Sequence, residues 1–348
     1  MIVTRPRYLH RLDFRAGRID MQHGAGGRLS RQLVDELFAP AFASSVKGGD
    51  DGAVLPAASG RLVMSTDGHV VSPLFFPGGN IGDLAVNGTV NDVAMMGATP
   101  LYLSASFILE EGLPLADLRR IVEAMATAAR QAGVQIVCGD TKVVERGRCD
   151  GVYISTTGIG ILPEDISING HRAIHGDRIL ISGPIAAHGM AIMSQREGLS
   201  FSAPILSDTA ALNGLVTAML ASGCEIHTLR DPTRGGVATT LNEIAAQSQV
   251  GMTLIEDAIP VDPLAASACE MLGIDPLYVA NEGCLLVICA GNDVEKLLTV
   301  MRNHPQGRYS AMIGEVQDDP LQLVQMKTRF GGCRRVDWLA GEPLPRIC

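Results

Sequence analysis

Apolar positions recur along the chain with two periods, and each change of period marks a new element. Leucines at 29, 33 and 37 lie on one face of a helix predicted over residues 28–38. Arg61-Leu-Val-Met-Ser-Thr-Asp67 reads as a strand that ends on an acid. Residues 80–96 return to helical spacing, apolar at 84, 86, 90, 93 and 94, and stop at Gly97. A strand over 101–108, an amphipathic helix over 115–132 and strands over 134–144 and 152–161 follow. Beyond Leu162-Pro-Glu-Asp165 the alternation resumes with a strand at 179–183 and a helix over 209–221. The turn Asp231-Pro-Thr-Arg-Gly-Gly-Val237 feeds a helix to Ala246. An apolar strand over 284–290, a helix over 293–303 and residues 310–315 leading into a last strand complete the pattern. Such alternation predicts a two-domain α/β (α+β) protein. Its expected parts are a weakly structured extension (1–20), a first domain (21–162), a second α/β domain (163–330) and a mobile tail (331–348).

Composition narrows what such a protein does. With 47% hydrophobic and 19% charged residues, a compact and largely buried chain is expected rather than a disordered one. Aromatics are scarce and the net charge is -9, which argues against single-stranded or duplex nucleic acid as a partner. No stretch approaches a membrane span or a signal peptide, so no membrane association and a cytoplasmic location are expected. The eight cysteines contain no C-x-x-C pair, and most sit in apolar runs as small hydrophobes.

Candidate chemistry concentrates at glycine- and aspartate-rich turns. Gly24-Ala-Gly-Gly27 opens the first helix; it is either a plain helix-opening loop or a set of backbone N–H groups facing a phosphate. Gly49-Asp-Asp51-Gly52 and Asp67 offer oxygen ligands of the kind Mg2+ shares with phosphates, although each is also an ordinary turn residue. On the helix over 80–96, Asp83, Asn87 and Asn91 follow at i, i+4 and i+8 with Asp92 beside them, a polar row expected to face a ligand. Gly139-Asp140-Thr-Lys142 ends a strand with an acid and a lysine, suited to metal, phosphate or proton transfer, or to solvent alone. Asn281-Glu282-Gly283 places an acid at the mouth of a core strand, a turn glutamate or a general base. His171 and His175 have metal-ligand spacing but no third ligand nearby. The chain ends in Pro345-Arg-Ile-Cys348, a thiol at a terminus with nothing downstream to hold it.

Taken in order, His23-Gly-Ala-Gly-Gly27, Gly48-Gly-Asp-Asp-Gly-Ala-Val54, Ser65-Thr-Asp67, residues 80–96, Gly139-Asp-Thr-Lys-Val-Val144, Asp231-Pro-Thr-Arg-Gly-Gly236, Asn281-Glu-Gly283 and the terminal Pro-Arg-Ile-Cys resemble one family. It is the HypE carbamoyl dehydratases of NiFe-hydrogenase maturation. They belong to the superfamily of aminoimidazole-ribonucleotide synthetase, formylglycinamidine synthetase and selenophosphate synthetase. The resemblance runs over residues 21–348.

The resemblance implies an aminoimidazole-ribonucleotide-synthetase-like fold whose first halves pair in a homodimer and bind ATP with Mg2+. It places Asp51, Asp67, Asp92 and Asp140 around metal and phosphates, with Asn87 beside them. It makes Cys348 the acceptor of a carbamoyl group from the carbamoyltransferase HypF. ATP-dependent dehydration then yields a thiocyanate, and the cyano group passes to iron on HypC–HypD. Lys142 and Glu282 are expected to handle the protons. Two other readings stay open: a synthetase acting on a free small molecule, and a non-catalytic carrier that holds a group on Cys348.

Overall fold

The computed structural model describes residues 8, 10–43, 52–199, 201, 203–341 and 346–348. The first half runs α1 (Arg28–Leu33), a π-helical segment Val34–Phe38, α2 (Ala39–Phe42), β1 (Arg61–His69), β2 (Phe75–Phe76), β3 (Gly79–Asn80), α3 (Ile81–Met95), β4 (Thr99–Glu110), α4 (Leu115–Ala132), β5 (Gln135–Val144) and β6 (Val152–Leu162). The second half runs β7 (Arg178–Ile181), α5 (Ala187–Arg196), α6 (Asn213–Ala221), β8 (Ile226–Arg230), α7 (Gly236–Ser248), β9 (Gly251–Ile255), α8 (Pro263–Leu272), β10 (Leu286–Cys289), α9 (Val294–Arg302), β11 (Ala311–Gln317), β12 (Val324–Lys327) and β13 (Cys333–Arg335).

The first sheet has the order β1-β6-β4-β5, antiparallel except for the parallel pair β4–β5. Its inward residues, among them Leu103, Phe107, Leu109 and Ile154, are buried in one core with Leu84, Val90, Ile121 and Met125 from α3 and α4. Helix α3 starts where the sequence puts it. Asn80 Oδ1 accepts from the Gly82 N–H at 2.8 Å, and Asp83 Oδ2 accepts from the Asn80 N–H at 2.9 Å. A Cβ on Gly82 would stand 2.3 Å from the carbonyl oxygen of Ile121, so only glycine lets the two helices approach this closely. The opposite face of the sheet is bare: Leu62, Met64 and Ile108 are 75%, 71% and 40% exposed.

The second sheet has the order β13-β12-β9-β11-β7-β10-β8, antiparallel except for β9–β12. Helix α3 reaches across to it: Asn91 Oδ1 accepts from the Leu212 N–H at 2.8 Å, and its Nδ2 donates to the Ala210 carbonyl at 3.0 Å. These bonds hold residues 207–212 as an extended loop, so α6 begins at Asn213 rather than at the expected 209.

Two other expectations are corrected. Residues 10–20 are fastened, not weakly structured: Ile19 is 2% exposed, and its backbone bonds Leu113 and Gly112. The tail does not begin at 331. Residues 333–335 form edge strand β13 against β12, Val336 is fully buried, and Tyr278 donates to the Asp337 carbonyl at 2.9 Å. An arm ending at Cys348 therefore has eleven steps beyond Asp337 and reaches about 36 Å when extended. No helix among the described residues is long and apolar enough to cross a membrane.

Candidate active site

Four acids from four segments converge where α3 meets the second sheet. Asp67 comes from β1, Asp92 from α3, Asp231 from the loop after β8, and Glu282 from the loop before β10. Ser65 donates to Asp92 Oδ2 at 2.7 Å, fixing the helix acid to the strand. Burial raises the Asp92 carboxyl, and the nearby Asp67 charge adds to the rise. Asp231 is pushed up to about 7, first by the atoms packed round it and then by Asp92. Glu282 is raised well above the usual carboxylate range by burial, then by Asp208, Asp231, Asp67 and Asp92. Arg234, largely exposed, brings Nη2 to 4.0 Å from Asp67 Oδ1 as a partial counter-charge.

Asp208 holds the base loop from behind. Its two carboxylate oxygens accept from the N–H groups of Glu282 and Gly283, each at 3.1 Å. Burial nonetheless raises it to about 6. Glu282 Oε1 is buried with no hydrogen-bond partner among the described residues.

This arrangement suits a divalent cation. Mutually repelling carboxylates and an orphaned buried carboxylate oxygen are relieved by positive charge, and Mg2+ needs only one or two carboxylates beside phosphates and water. Among the described residues no three His, Cys, Asp or Glu side chains are grouped so as to hold a metal by themselves. Asp51 lies outside the described residues.

The expected metal set does not come together in one chain. Asp67 pairs across the sheet with Thr156, Thr156 with Ala105, and Ala105 with Gly139, so Asp67 and Asp140 lie three strands apart. That is about 14 Å at ordinary inter-strand spacing. They also point to opposite faces. A Cβ on Gly88 of α3 would lie 3.6 Å from Asp67 Oδ2, whereas Asp140 follows the inward Gly139 and turns to the bare face. Lys142 is on that bare face too, pairing with Asp140 Oδ2 at 3.0 Å in solvent. Its hydrogen bond keeps the Asp140 carboxyl below the usual range. Lys142 and Glu282 therefore do not meet within a single chain.

The polar row on α3 is also largely internal. Asp83 caps the helix, Asn91 binds the loop over 207–212, and Asn87 Nδ2 donates to Thr209 Oγ1 at 3.3 Å. His171 Nδ1 contacts the Gln247 carbonyl and His175 Nδ1 accepts from the Asp318 N–H, so that pair serves loop packing. Asp208 carried no sequence signal. Asp231 was legible only as the first residue of a helix-opening turn; the arginine three residues on was the available hint.

A cavity of about 710 Å3 opens at the other edge of the first sheet, between α1, α2 and β5. His23, Gly24, Arg31, Phe38, Cys138 and Lys142 contribute to its wall. Gly24 allows the glycine loop to approach β5, since a Cβ there would fall 2.4 Å from the Val143 nitrogen. The loop is thus a wall of a cleft and not merely a helix start.

The last three residues dock beside β1. Ile347 forms an antiparallel bridge with Val71; the Val70 N–H donates to the Cys348 carbonyl at 3.1 Å and the Ser72 N–H to that of Arg346 at 3.2 Å. The Ile347 side chain is 4% exposed.

Comparison with known proteins accounts for this architecture. Residues 49–162 match the family model for the AIR synthase related protein N-terminal domain, and residues 175–327 that for its C-terminal domain. The carbamoyl dehydratase HypE of Cupriavidus necator is 61% identical over 343 residues, spanning 98% of each chain. A crystal structure of the hydrogenase maturation protein HypE in complex with ATP superposes with a TM-score of 0.91 at 50% identity, covering 94% of this chain and 99% of that one. A HypE–HypF complex gives 0.78 at 49% identity, covering 88% and 99%. With matches of this extent to both domains and over the whole length, the chain belongs to the HypE family of carbamoyl dehydratases.

Proposed function

We propose that this chain is an ATP-dependent carbamoyl dehydratase whose substrate is the S-carbamoyl group on its own Cys348. The observation that carries the reading is the docking of Cys348 against Val70, three residues along the chain from Asp67, about 10 Å at the rise of an extended strand. The ATP bound by the solved relative and the HypF bound by another supply the nucleotide and the carbamoyl donor. The cyanide acceptor is HypC–HypD.

The chemistry asks little covalent help of the protein and much positioning. The carbamoyl oxygen attacks the γ-phosphorus, the bond to ADP breaks, and one proton leaves nitrogen as C=N forms. The second proton leaves as the C–O bond breaks, giving Cys348–S–C≡N and inorganic phosphate. Glu282, its carboxyl raised by burial and by the neighbouring acids, takes a proton at nitrogen; its loop is kept in place by Asp208. One or two carboxylates from the set Asp51, Asp67, Asp92 and Asp231, together with phosphate oxygens and water, would hold Mg2+, which supplies charge neutralisation for the phosphates when bound.

Lys142 and Asp140 enter through a homodimer. The bare apolar face carrying Leu62, Met64 and Ile108 is suited to a second copy, and pairing would put Lys142 and Asp140 at the interface between the copies. Asn87 contributes by setting Thr209. Eight unbridged cysteines fit a reducing cytoplasm.

Mass spectrometry of the C-terminal peptide, after incubation with a carbamoylating partner and then ATP, tests this. Carbamoyl followed by cyano on Cys348, with ATP needed only for the second step, is expected. ATP turnover on a diffusible compound by the Cys348→Ala variant would sink the reading in favour of a small-molecule synthetase.

A further inference from the structure

We propose that His188 and Ser207 form a latch that positions the terminal cysteine, and that the loop over 207–212 couples this latch to the acid cluster. The role rests on the reading of Cys348 as substrate; the latch itself is visible without it.

His188, at the start of α5, is fully buried and lies edge-on to Phe76. Its Nε2 is 2.6 Å from the carbonyl oxygen of Ile347 and its Nδ1 is 2.8 Å from Ser207 Oγ. A carbonyl only accepts, so Nε2 carries the proton and donates it, and Nδ1 accepts from the Ser207 hydroxyl. Ser207 Oγ in turn accepts from the Thr209 N–H at 3.1 Å. Burial lowers His188 to about 4, which keeps this neutral tautomer at physiological pH.

Two arginines and an acid complete the grip. Arg196 donates to the carbonyls of Ser72 and Arg346, and Arg346 Nη1 pairs with Asp150 Oδ2 at 3.0 Å. Arg346 has φ 53°, a left-handed conformation that a non-glycine residue of an untethered terminus seldom adopts. The docked shape is therefore imposed by its partners.

The coupling follows from what the loop carries. Ser207 faces the latch, Asp208 holds the backbone of Glu282, Thr209 receives Asn87, and Ala210 and Leu212 bind Asn91. Five of the six positions from 207 to 212 thus join the tail, the base and α3. A shift of the loop that frees His188 also moves the Glu282 support, so the base is in register when the terminal thiol is in place. His188 acts through the main chain of the tail and is a positioning residue.

The test measures alkylation of the Cys348 thiol by iodoacetamide in the full-length protein, read on the C-terminal peptide. His188→Leu, which removes the donor at similar bulk, is expected to label about tenfold faster than wild type, the change one lost hydrogen bond of ordinary strength produces. His188→Gln, which keeps a donor at the Nε2 position, is expected to restore most of the protection. Asp150→Asn, a surface change that leaves an acceptor for Tyr153, is expected to give a smaller increase. Equal rates in wild type, His188→Leu and Asp150→Asn would overturn the latch, whatever the fate of the dehydration reaction. If the latch holds but His188→Leu leaves the ATP-dependent step unchanged at saturating ATP, the coupling is overturned.

Discussion

Asp208 and Glu282 are joined through the main chain and opposed through their side chains. Asp208 Oδ1 accepts the Glu282 N–H at 3.1 Å, while burial and then the Asp208 charge raise the Glu282 carboxyl. The same contact fixes the position of the base and increases its proton affinity. A carboxylate so placed is a stronger base than an exposed glutamate.

Replacing Glu282 by Gln keeps the shape and removes the base. The ATP-dependent step on Cys348 is expected to fall by about 10²–10⁴-fold, as for loss of a general base. Carbamoyl-Cys348 should then accumulate on the C-terminal peptide. Fold stability should hold or rise at neutral pH, because a buried acid with a raised folded-state pKa opposes folding once ionised. A Gln variant that still forms the thiocyanate at the wild-type rate would assign the base elsewhere.

Stability should depend on pH in a definite direction. Asp208 and Asp231 move from an unfolded 3.8 to about 6 and about 7. Raised acids favour the folded state below the unfolded value, and that contribution is lost as pH rises through the folded values. Without nucleotide or metal, the melting temperature is expected to drop between about pH 4 and 7 from these two groups. Asp231→Asn should flatten the upper part of that drop, and added Mg2+ should offset it. A wild-type and Asp231→Asn pair with parallel profiles would exclude Asp231 from the cluster.

Lys142 and Asp67 belong to opposite faces of the first sheet, so defects at them should complement between copies. Lys142→Ala and Asp67→Asn are each expected to abolish the ATP-dependent step alone. Co-expressed with separate tags and purified as hybrids, they should recover about half of the wild-type activity if one intact site forms per dimer. Inactive hybrids would place both residues in a single copy's site. Lys142 is well exposed, and its loss should leave the melting temperature nearly unchanged.

Gly283 is the spacing element behind the base. A Cβ there would lie 1.7 Å from the Asp208 carbonyl oxygen, which is backbone and cannot swing aside. Gly283→Ala is expected to cost at least about 1–3 kcal/mol of stability by thermal or denaturant unfolding, as overpacking does. It should also displace Glu282. An alanine variant with wild-type stability and activity would show that the loop has slack.

Periodicity, capping and turn chemistry are local, and the chain declares them directly. The helix over residues 80–96, its stop at Gly97, the amphipathic run that becomes α4 and the acids at Asp67 and Glu282 were all legible in the sequence. So was the terminal thiol. What neighbouring residues cannot encode is which segments meet. Asp208 and His188 have no distinguishing sequence context; they matter because one loop lies between the tail, Glu282 and α3. The separation of Asp140 and Lys142 from Asp67 likewise arises only once β1 and β5 become opposite edges of one sheet, with the pleat turning their side chains to opposite faces. Element identity follows from spacing along the chain, whereas the site depends on strand order and on hydrogen bonds between residues more than a hundred positions apart.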